Sequence, residues 1–147
     1  NRLVYTVYFT VSFAAGNGAG TENNLPIDNV NYSGLVNNRF TLPICAVDAL
    51  GKHIFYSEPG ATLIVCASSK GTGLPGITTT DITGKLGFNR DNNFSNDFNN
   101  SDYTNKFSGT SASTPIVSGV VALILEANPS LGYRDVRKIL SISAQKK

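Results

Sequence analysis

The sequence predicts an α/β fold with a mainly parallel sheet and helices on both faces. Segments rich in β-branched and aromatic residues, which favour strands, lie in the first half of the chain. One of them, residues 61–67 (ATLIVCA), is apolar without alternation, as in a parallel strand that helices bury on both faces. Two helical patterns follow near the C-terminal end, and the first of them is long and apolar.

The first half of the chain is expected to hold strands joined by irregular loops. The predicted strands are residues 3–13, 40–47, 54–56 and 61–67. The first of these runs into residues 14–20, where glycines favour an irregular loop of close approach. Residues 21–38 are polar and rich in Asn, so we expect a loop there.

The second half begins with loops and ends with two predicted helices. Residues 68–84 are rich in Gly, Ser and Thr, and the very polar residues 85–108 indicate an exposed excursion with a few aromatic anchors. A helix is predicted over 114–127, with Pro115 in its first turn and Pro129 beyond its end. A second helix is predicted over 133–143.

Charge and hydropathy exclude several functions. The formal net charge is +2 and only 15% of the residues are charged, which is a weak basis for binding nucleic acid. The longest apolar run, residues 117–125, contains Ser118 and Gly119 and is far shorter than the roughly 20 residues of a membrane span. We therefore expect neither a nucleic-acid partner nor a membrane span.

The most informative stretch is residues 107–115 (FSGTSASTP). A Gly-Thr-Ser turn leads into an apolar helix, which puts the Ser111 hydroxyl where unpaired backbone N–H groups and the positive end of the helix dipole point. A serine nucleophile needs a fixed hydroxyl with donors ready for a developing oxyanion. Simple capping of the helix by Ser111, Ser113 or Thr114 is the alternative, and on this motif alone the two stand about equal.

A second candidate is Asn17, which follows a predicted strand in a loop with glycines on both sides. The NH₂ group of Asn is a neutral donor that can be directed at an oxyanion. Asn also favours left-handed turns, and taken alone the residue is better explained in that way.

Together the two motifs resemble those of one family. Residues 14–18 (AAGNG) and 109–115 (GTSASTP) resemble the oxyanion-Asn and nucleophile-Ser motifs of subtilisin-like serine proteases. Three more segments resemble the kexin/furin branch: 56–60 (YSEPG), 78–82 (TTTDI) and 125–136 (LEANPSLGYRDV). The resemblance implies part of a subtilisin-like three-layer sandwich, with residues 1–147 as the C-terminal half of a catalytic domain that is incomplete at both ends.

The resemblance assigns roles to individual residues. It implies that Ser111 is the nucleophile and that its own backbone N–H and the Asn17 side chain form the oxyanion hole. It also implies a structural calcium ion held by Asp28 and Glu58, with a further ligand outside the chain, since oxygen ligands suit calcium. The alternative is that Asp28 and Glu58 are ordinary acids of exposed loops.

The chain also departs from the pattern of the branch. Ser33 stands where these enzymes usually have an Asp that lines the pocket for a basic residue, and a hydroxyl cannot neutralise a buried Arg or Lys. A preference for basic substrates would then be weaker or would depend on residues outside the chain. Val30 and Gly60 stand at positions that form a disulfide in the branch, so that bond is expected to be absent.

A subtilisin-like triad also needs an Asp and a His, which in this family precede the oxyanion Asn. The only histidine of the chain, His53, is expected to be a surface residue of a turn. We expect the triad Asp and His to come from an N-terminal segment of the same protease, and the isolated chain to be inactive. The resemblance further implies a protein or peptide substrate and secretion.

Two alternatives stay open at this point. The chain could be a secreted calcium-binding interaction module or pseudoprotease, or the fold could serve a peptidyl ligase or an esterase. Cys45 and Cys66 both fall in predicted strands, where a disulfide and a pair of buried reduced thiols are about equally compatible with the sequence.

Overall fold

The computed structural model describes residues 10–22, 25–26, 28–90 and 97–145. In chain order the strands are β1 (Val11–Ala14), β2 (Thr21–Glu22), β3 (Leu25–Pro26), β4 (Thr41–Val47), β5 (Val65–Ser68), β6 (Ile77–Thr80) and β7 (Tyr103–Phe107). The helices are a 3₁₀ helix (Val30–Tyr32), α1 (Thr110–Ala127) and α2 (Tyr133–Ser143).

The main sheet has the order β1-β4-β5, and both of its strand pairs are parallel. β4 lies in the middle and is buried along almost its whole length, as its continuous apolar sequence predicts for a central parallel strand. Two short antiparallel pairs, β2–β3 and β6–β7, lie outside this sheet. The predicted α/β fold with a mainly parallel sheet is confirmed.

The core forms where the two α-helices pack on β4. Its buried members are Leu42, Ile44, Val117, Val121, Val136 and Leu140. Burying an aliphatic side chain of this size contributes about 1.5–3 kcal/mol, so these six provide the largest local contribution to stability. A second cluster, which includes the 3₁₀ helix, consists of Ala15, Val30 and Val36 with Phe13 and Leu63 packed against it.

Helix α2 has its predicted bounds, but α1 begins earlier than predicted. It starts at Thr110 instead of residue 114, so Ser111 lies in its first turn and Pro115 lies inside the helix. Since Pro has no N–H, the Ser111 carbonyl has no donor four residues along the helix. The helix ends at Ala127, as predicted, and its C-cap is Asn128, the residue before Pro129.

Helix α1 is the one described helix that is long and apolar enough to cross a membrane, with 18 residues and a mean hydropathy of 1.4. The core helix of a globular domain meets the same criterion, and Val117 and Val121 of α1 pack into the core. This packing accounts for the apolar residues on the face of α1 that lies against the core.

Several predicted strands differ from the observed ones. Residues 54–56 form a turn, and only His53 makes an isolated bridge, with Val47. The predicted strand 61–67 begins only at Val65, and it is not buried on both faces. Strand β5 alternates between half-buried residues that pack against the core and exposed residues on its other face. Of the predicted strand 3–13, residues 3–9 lie outside the described residues.

The polar excursion of residues 85–108 contains a strand that its composition did not predict. Its last residues form β7, which pairs with β6 in an antiparallel hairpin. Residues 91–96 of the excursion lie outside the described part of the chain.

A disulfide joins Cys45 and Cys66. The two residues are register partners on the neighbouring strands β4 and β5, with their Cα atoms 4.3 Å apart. This settles the alternative that the sequence left open, and it ties the edge strand to the buried central strand.

Candidate active site

The side-chain amide of Asn17 is fixed by the first residue of α1. The backbone N–H and the hydroxyl of Thr110 both donate to Asn17 Oδ1, at 2.8 and 3.0 Å. A backbone N–H can only donate, so Oδ1 must be the acceptor and Nδ2 must be the free end of the amide. Within the described part of the chain Nδ2 has no acceptor, and Asn17 is exposed. The geometry therefore presents an oriented neutral donor beside the helix terminus.

The close approach of Asn17 depends on the glycine before α1. Gly109 has a φ of +90°, in the region that favours glycine, and a Cβ there would lie 3.2 Å from Asn17 Nδ2. The Gly-Thr-Ser turn is thus needed for the shape of the backbone as well as for its hydroxyl groups.

The serines and threonines of the motif have distinct surroundings. The Ser113 hydroxyl is fully buried and donates to the carbonyl of Ala67 in β5 at 2.9 Å, while Thr114 donates to the carbonyl of Thr110. The residue at the N-cap, Gly109, provides no side-chain cap, so helix capping does not account for this motif. Ser111 alone among the three serine and threonine residues 111, 113 and 114 is exposed.

Asp28 and Glu58 come together on the two sides of Gly18. Glu58 Oε1 accepts the Gly18 N–H at 2.9 Å, and a Cβ on Gly18 would lie 3.1 Å from both Asp28 Oδ2 and Glu58 Oε1. Glu58 is only 8% exposed and has no Lys or Arg partner among the described residues. A buried carboxylate without a basic partner fits a cation, because burying a lone charge is costly.

The ligand set for such a cation is incomplete in the described residues. They contain no group of three or more His, Cys, Asp or Glu side chains that could hold a metal ion. Asp28 and Glu58 thus fit part of a calcium site, and further oxygen ligands would be needed.

Ser33 lies in the same cavity as the two acids. This cavity, of about 340 Å³, is lined among others by Gly16, Asp28, Ser33 and Glu58. Close to this cavity, Gly60 packs against Val30, and a Cβ on Gly60 would lie 2.3 Å from Val30 Cγ1. These are the two positions at which the resemblance to the kexin/furin branch implies a disulfide, and here they are neighbours without cysteines.

The structure does not bring His53 to the serine motif. His53 is exposed in a turn and bridges to Val47, and it has no hydrogen bond to Ser111. The prediction of a surface turn residue is confirmed.

Three residues near the motif received no role from the sequence: Tyr56, Ser69 and Thr110. Their contacts join residues 40 to 93 positions apart, so no local pattern signals them.

Comparison with known proteins gives consistent results. The model of the subtilase family matches residues 6–147. Kexin of Saccharomyces cerevisiae is 36% identical over 132 residues, which are 90% of this chain and 13% of kexin. A calcium-dependent protease of Trichormus variabilis is 36% identical over 140 residues, 92% of this chain and 20% of that protein.

A third relative, the Aeromonas extracellular serine protease of Aeromonas sobria, is 34% identical over 87% of this chain and 22% of its own length. The crystal structure of the Aeromonas sobria serine protease in complex with its chaperone matches with a TM-score of 0.83 and 32% identity, over 91% of this chain and 26% of that one. The chain thus spans between 13% and 22% of the length of these three relatives.

Proposed function

Because the chain belongs to the subtilase family of serine proteases, we propose that residues 1–147 are the C-terminal half of a kexin-like catalytic domain. In this proposal Ser111 is the nucleophile, and its backbone N–H and Asn17 Nδ2 form the oxyanion hole. The substrate is the peptide bond of a protein or peptide, which the enzyme hydrolyses through an acyl-enzyme.

The reaction follows from the chemistry of these groups. Ser111 Oγ attacks the carbonyl carbon while its proton passes to a His base, and the carbonyl oxygen becomes an oxyanion held by the two N–H donors. The C–N bond then breaks as that proton passes to the leaving amine. Water hydrolyses the remaining ester by the same steps and restores the Ser111 hydroxyl.

One observation supports this proposal above the others. Thr110 holds Asn17 Oδ1 with two hydrogen bonds, so the opposite end of the amide is a fixed donor beside the exposed Ser111. A donor fixed before the reaction stabilises an oxyanion without the cost of reorientation. A merely structural Asn would not need its donor end free.

The triad Asp and His are proposed to come from an N-terminal segment of the same protease. An apolar stripe of α1 gives such a segment a place to pack: Ile116, Val120 and Leu123 are 39%, 42% and 66% exposed, at the i, i+4, i+7 spacing of one helix face. Covering this face would also complete the burial of α1.

We also propose a structural calcium ion at Asp28 and Glu58, and secretion of the mature protein. The buried Glu58, which has no Lys or Arg partner among the described residues, supports the ion, and the names of a calcium-dependent and an extracellular relative agree with both proposals. The Glu58→Gln variant should melt at a lower temperature than the wild type in a buffer with calcium, but at the same temperature as the wild type in EDTA. Equal shifts in both buffers would refute the calcium site.

The activity is tested by joining this chain to an N-terminal segment that supplies the triad Asp and His, and measuring peptide hydrolysis. Ser111→Ala should lower kcat by on the order of 10⁶-fold. Ser130→Ala, in the exposed turn between the helices, is the control and should keep wild-type kcat. Wild-type turnover in Ser111→Ala would refute the assigned nucleophile.

The alternative is a secreted calcium-binding interaction module or pseudoprotease. Its support is that a cation bound at the buried Glu58 would stabilise the fold whether or not Ser111 reacts. Calcium-dependent melting in a joined protein that hydrolyses no peptide would favour the module over the protease.

A further inference from the structure

The turn before α1 is held by a closed ring of hydrogen bonds that its own sequence does not supply. The Gly109 N–H donates to the Tyr56 hydroxyl at 3.1 Å, and the Gly109 carbonyl accepts the Ser69 hydroxyl at 2.9 Å. The two hydroxyl oxygens are themselves 2.9 Å apart. Ser69 is 2% exposed, so water does not compete for its bonds.

One assignment of the hydroxyl protons makes all three bonds of the ring at once. In this assignment the Ser69 hydroxyl donates to the Gly109 carbonyl, which can only accept, and Ser69 Oγ accepts from the Tyr56 hydroxyl. The Tyr56 proton therefore points at Ser69, with the Lys70 carbonyl 3.3 Å away as a weaker second acceptor. All three bonds run the same way round the ring, an arrangement in which each bond polarises and strengthens the next.

The ring acts on a glycine whose backbone conformation is special. Gly109 has the φ of +90° that sets the direction of the chain into α1, and both of its backbone polar groups belong to the ring. The next two residues are Thr110, which orients Asn17, and Ser111. A rotation of the Gly109 peptide groups would displace both Thr110 and Ser111, and it would therefore change the position of Ser111 Oγ relative to Asn17 Nδ2.

We propose that Tyr56 and Ser69 are positioning residues of the active site, which lock the Gly109 turn so that Ser111 Oγ and Asn17 Nδ2 keep their mutual geometry. Neither side chain touches the substrate in this proposal. The inference rests on the proposed protease function, because it concerns the alignment of that same nucleophile.

The kinetic test uses the joined catalytic domain, with kcat expressed per active site titrated by a fluorophosphonate. Tyr56→Phe and Ser69→Ala should each lower kcat by about 5- to 30-fold, with KM within about twofold, because alignment acts on the transition state. Tyr103→Phe, whose side chain is 47% exposed on β7, is the matched control and should keep wild-type kcat. A purely structural role would reduce the number of titrated sites and leave kcat per site unchanged, which would overturn the proposal.

The double variant distinguishes a ring from two separate contacts. Breaking any bond of a closed ring removes the mutual support of the others, so Tyr56→Phe/Ser69→Ala should be about as slow as the slower single variant. A double variant in which the two losses multiply would overturn the ring.

A second measurement separates failure of this inference from failure of the proposed function. In the 147-residue chain the Gly109 amide proton should be protected from exchange, and Tyr56→Phe should speed its exchange by about tenfold while Tyr103→Phe does not. An unchanged exchange rate of the Gly109 amide in Tyr56→Phe would overturn the ring, whatever the measured peptide hydrolysis. If the exchange changes but the wild-type domain neither titrates nor hydrolyses peptide, the proposed function fails, and the positioning role falls with it.

Discussion

The two polar ends of the Asn17 side-chain amide have different surroundings. Its oxygen satisfies the N–H of the fully buried Thr110, which belongs to the first turn of α1, where backbone donors have no partner in the helix. Its NH₂ group has no acceptor among the described residues, and in the proposed function it donates to the oxyanion. The sequence identified Asn17 through its resemblance to the family, but not Thr110, because the two residues are 93 positions apart.

Replacing Asn17 with an aspartate tests this division. The fold does not need the donor end of the side chain, and a carboxylate still accepts both Thr110 bonds, so Asn17→Asp should keep the melting temperature within a few degrees. It should nevertheless lower kcat by about 100- to 1,000-fold or more, the loss known for an oxyanion donor in a subtilisin, because an anion replaces the donor.

Asn17→Ala is the comparison for this variant. It should lose a similar factor in kcat and should also destabilise the protein by about 1–3 kcal/mol, since the Thr110 N–H is left buried and unpaired. Thermal melting and peptide hydrolysis of both variants check this. An Asn17→Asp variant with normal kcat would exclude Asn17 from the oxyanion hole.

At the scale of elements, the β6–β7 hairpin is held by two aspartates. The Asn89 N–H lowers the pKa of Asp81 below its ordinary value, with weaker help from Phe88 and Ile82. Burial raises the pKa of Asp97, but hydrogen bonds from the Thr104 hydroxyl and the Asn105 N–H outweigh it, and the net shift is downward.

These lowered pKa values predict how the hairpin responds to acid. A group whose pKa falls on folding stabilises the fold above its unfolded value of about 3.9, and this contribution is lost as the pH falls through the folded value. Asp97→Asn should therefore destabilise the protein at pH 7 by about 1 kcal/mol, since solvent screens the partly exposed carboxylate, and by less below pH 3.

Urea unfolding between pH 2 and pH 7 measures this effect. The control is Asp102→Asn in the same hairpin, whose carboxylate accepts one long bond from Gly84 at 3.4 Å. A constant difference between Asp97→Asn and the wild type at every pH would contradict the role given to the charge.

The elements that the sequence predicted well are those whose own pattern decides them. Strand β4 and helix α2 have nearly their predicted bounds, because a long apolar run and a clear helical face leave little choice. The start of α1 was missed since its first residues, Thr110 and Ser111, are weak helix formers. The contacts that hold this turn in place are distant ones, from Thr110 to Asn17 and from Ser113 to β5. Strand β7 was not predicted because its strand conformation depends on pairing with β6, which its own composition does not signal.

At the scale of the whole molecule, the exposed apolar face of α1 is the surface that we expect another segment to cover. If an N-terminal segment packs there, Leu123→Glu should prevent that segment from restoring activity while changing the melting temperature of the chain little, because Leu123 is 66% exposed. Leu86→Glu, at a residue 81% exposed in the loop between β6 and β7, is the control and should allow full complementation.

Titration of the chain with the N-terminal segment, followed by peptide hydrolysis, measures this assembly. Complementation of Leu123→Glu at the wild-type concentration would show that the segment does not cover this face. The chemistry of Ser111 would then need a different arrangement of its partner.

In the proposed function, Ser111 becomes a nucleophile when the chain is joined to the segment with the triad Asp and His. Its most direct test is to treat the joined protein with a fluorophosphonate and to locate the adduct by mass spectrometry. We expect one adduct, on Ser111, which forms in the joined protein and not in the chain alone, since without a base the hydroxyl is a weak nucleophile. A folded, joined protein that gains no adduct, or gains it on another serine, would show that Ser111 is not the nucleophile.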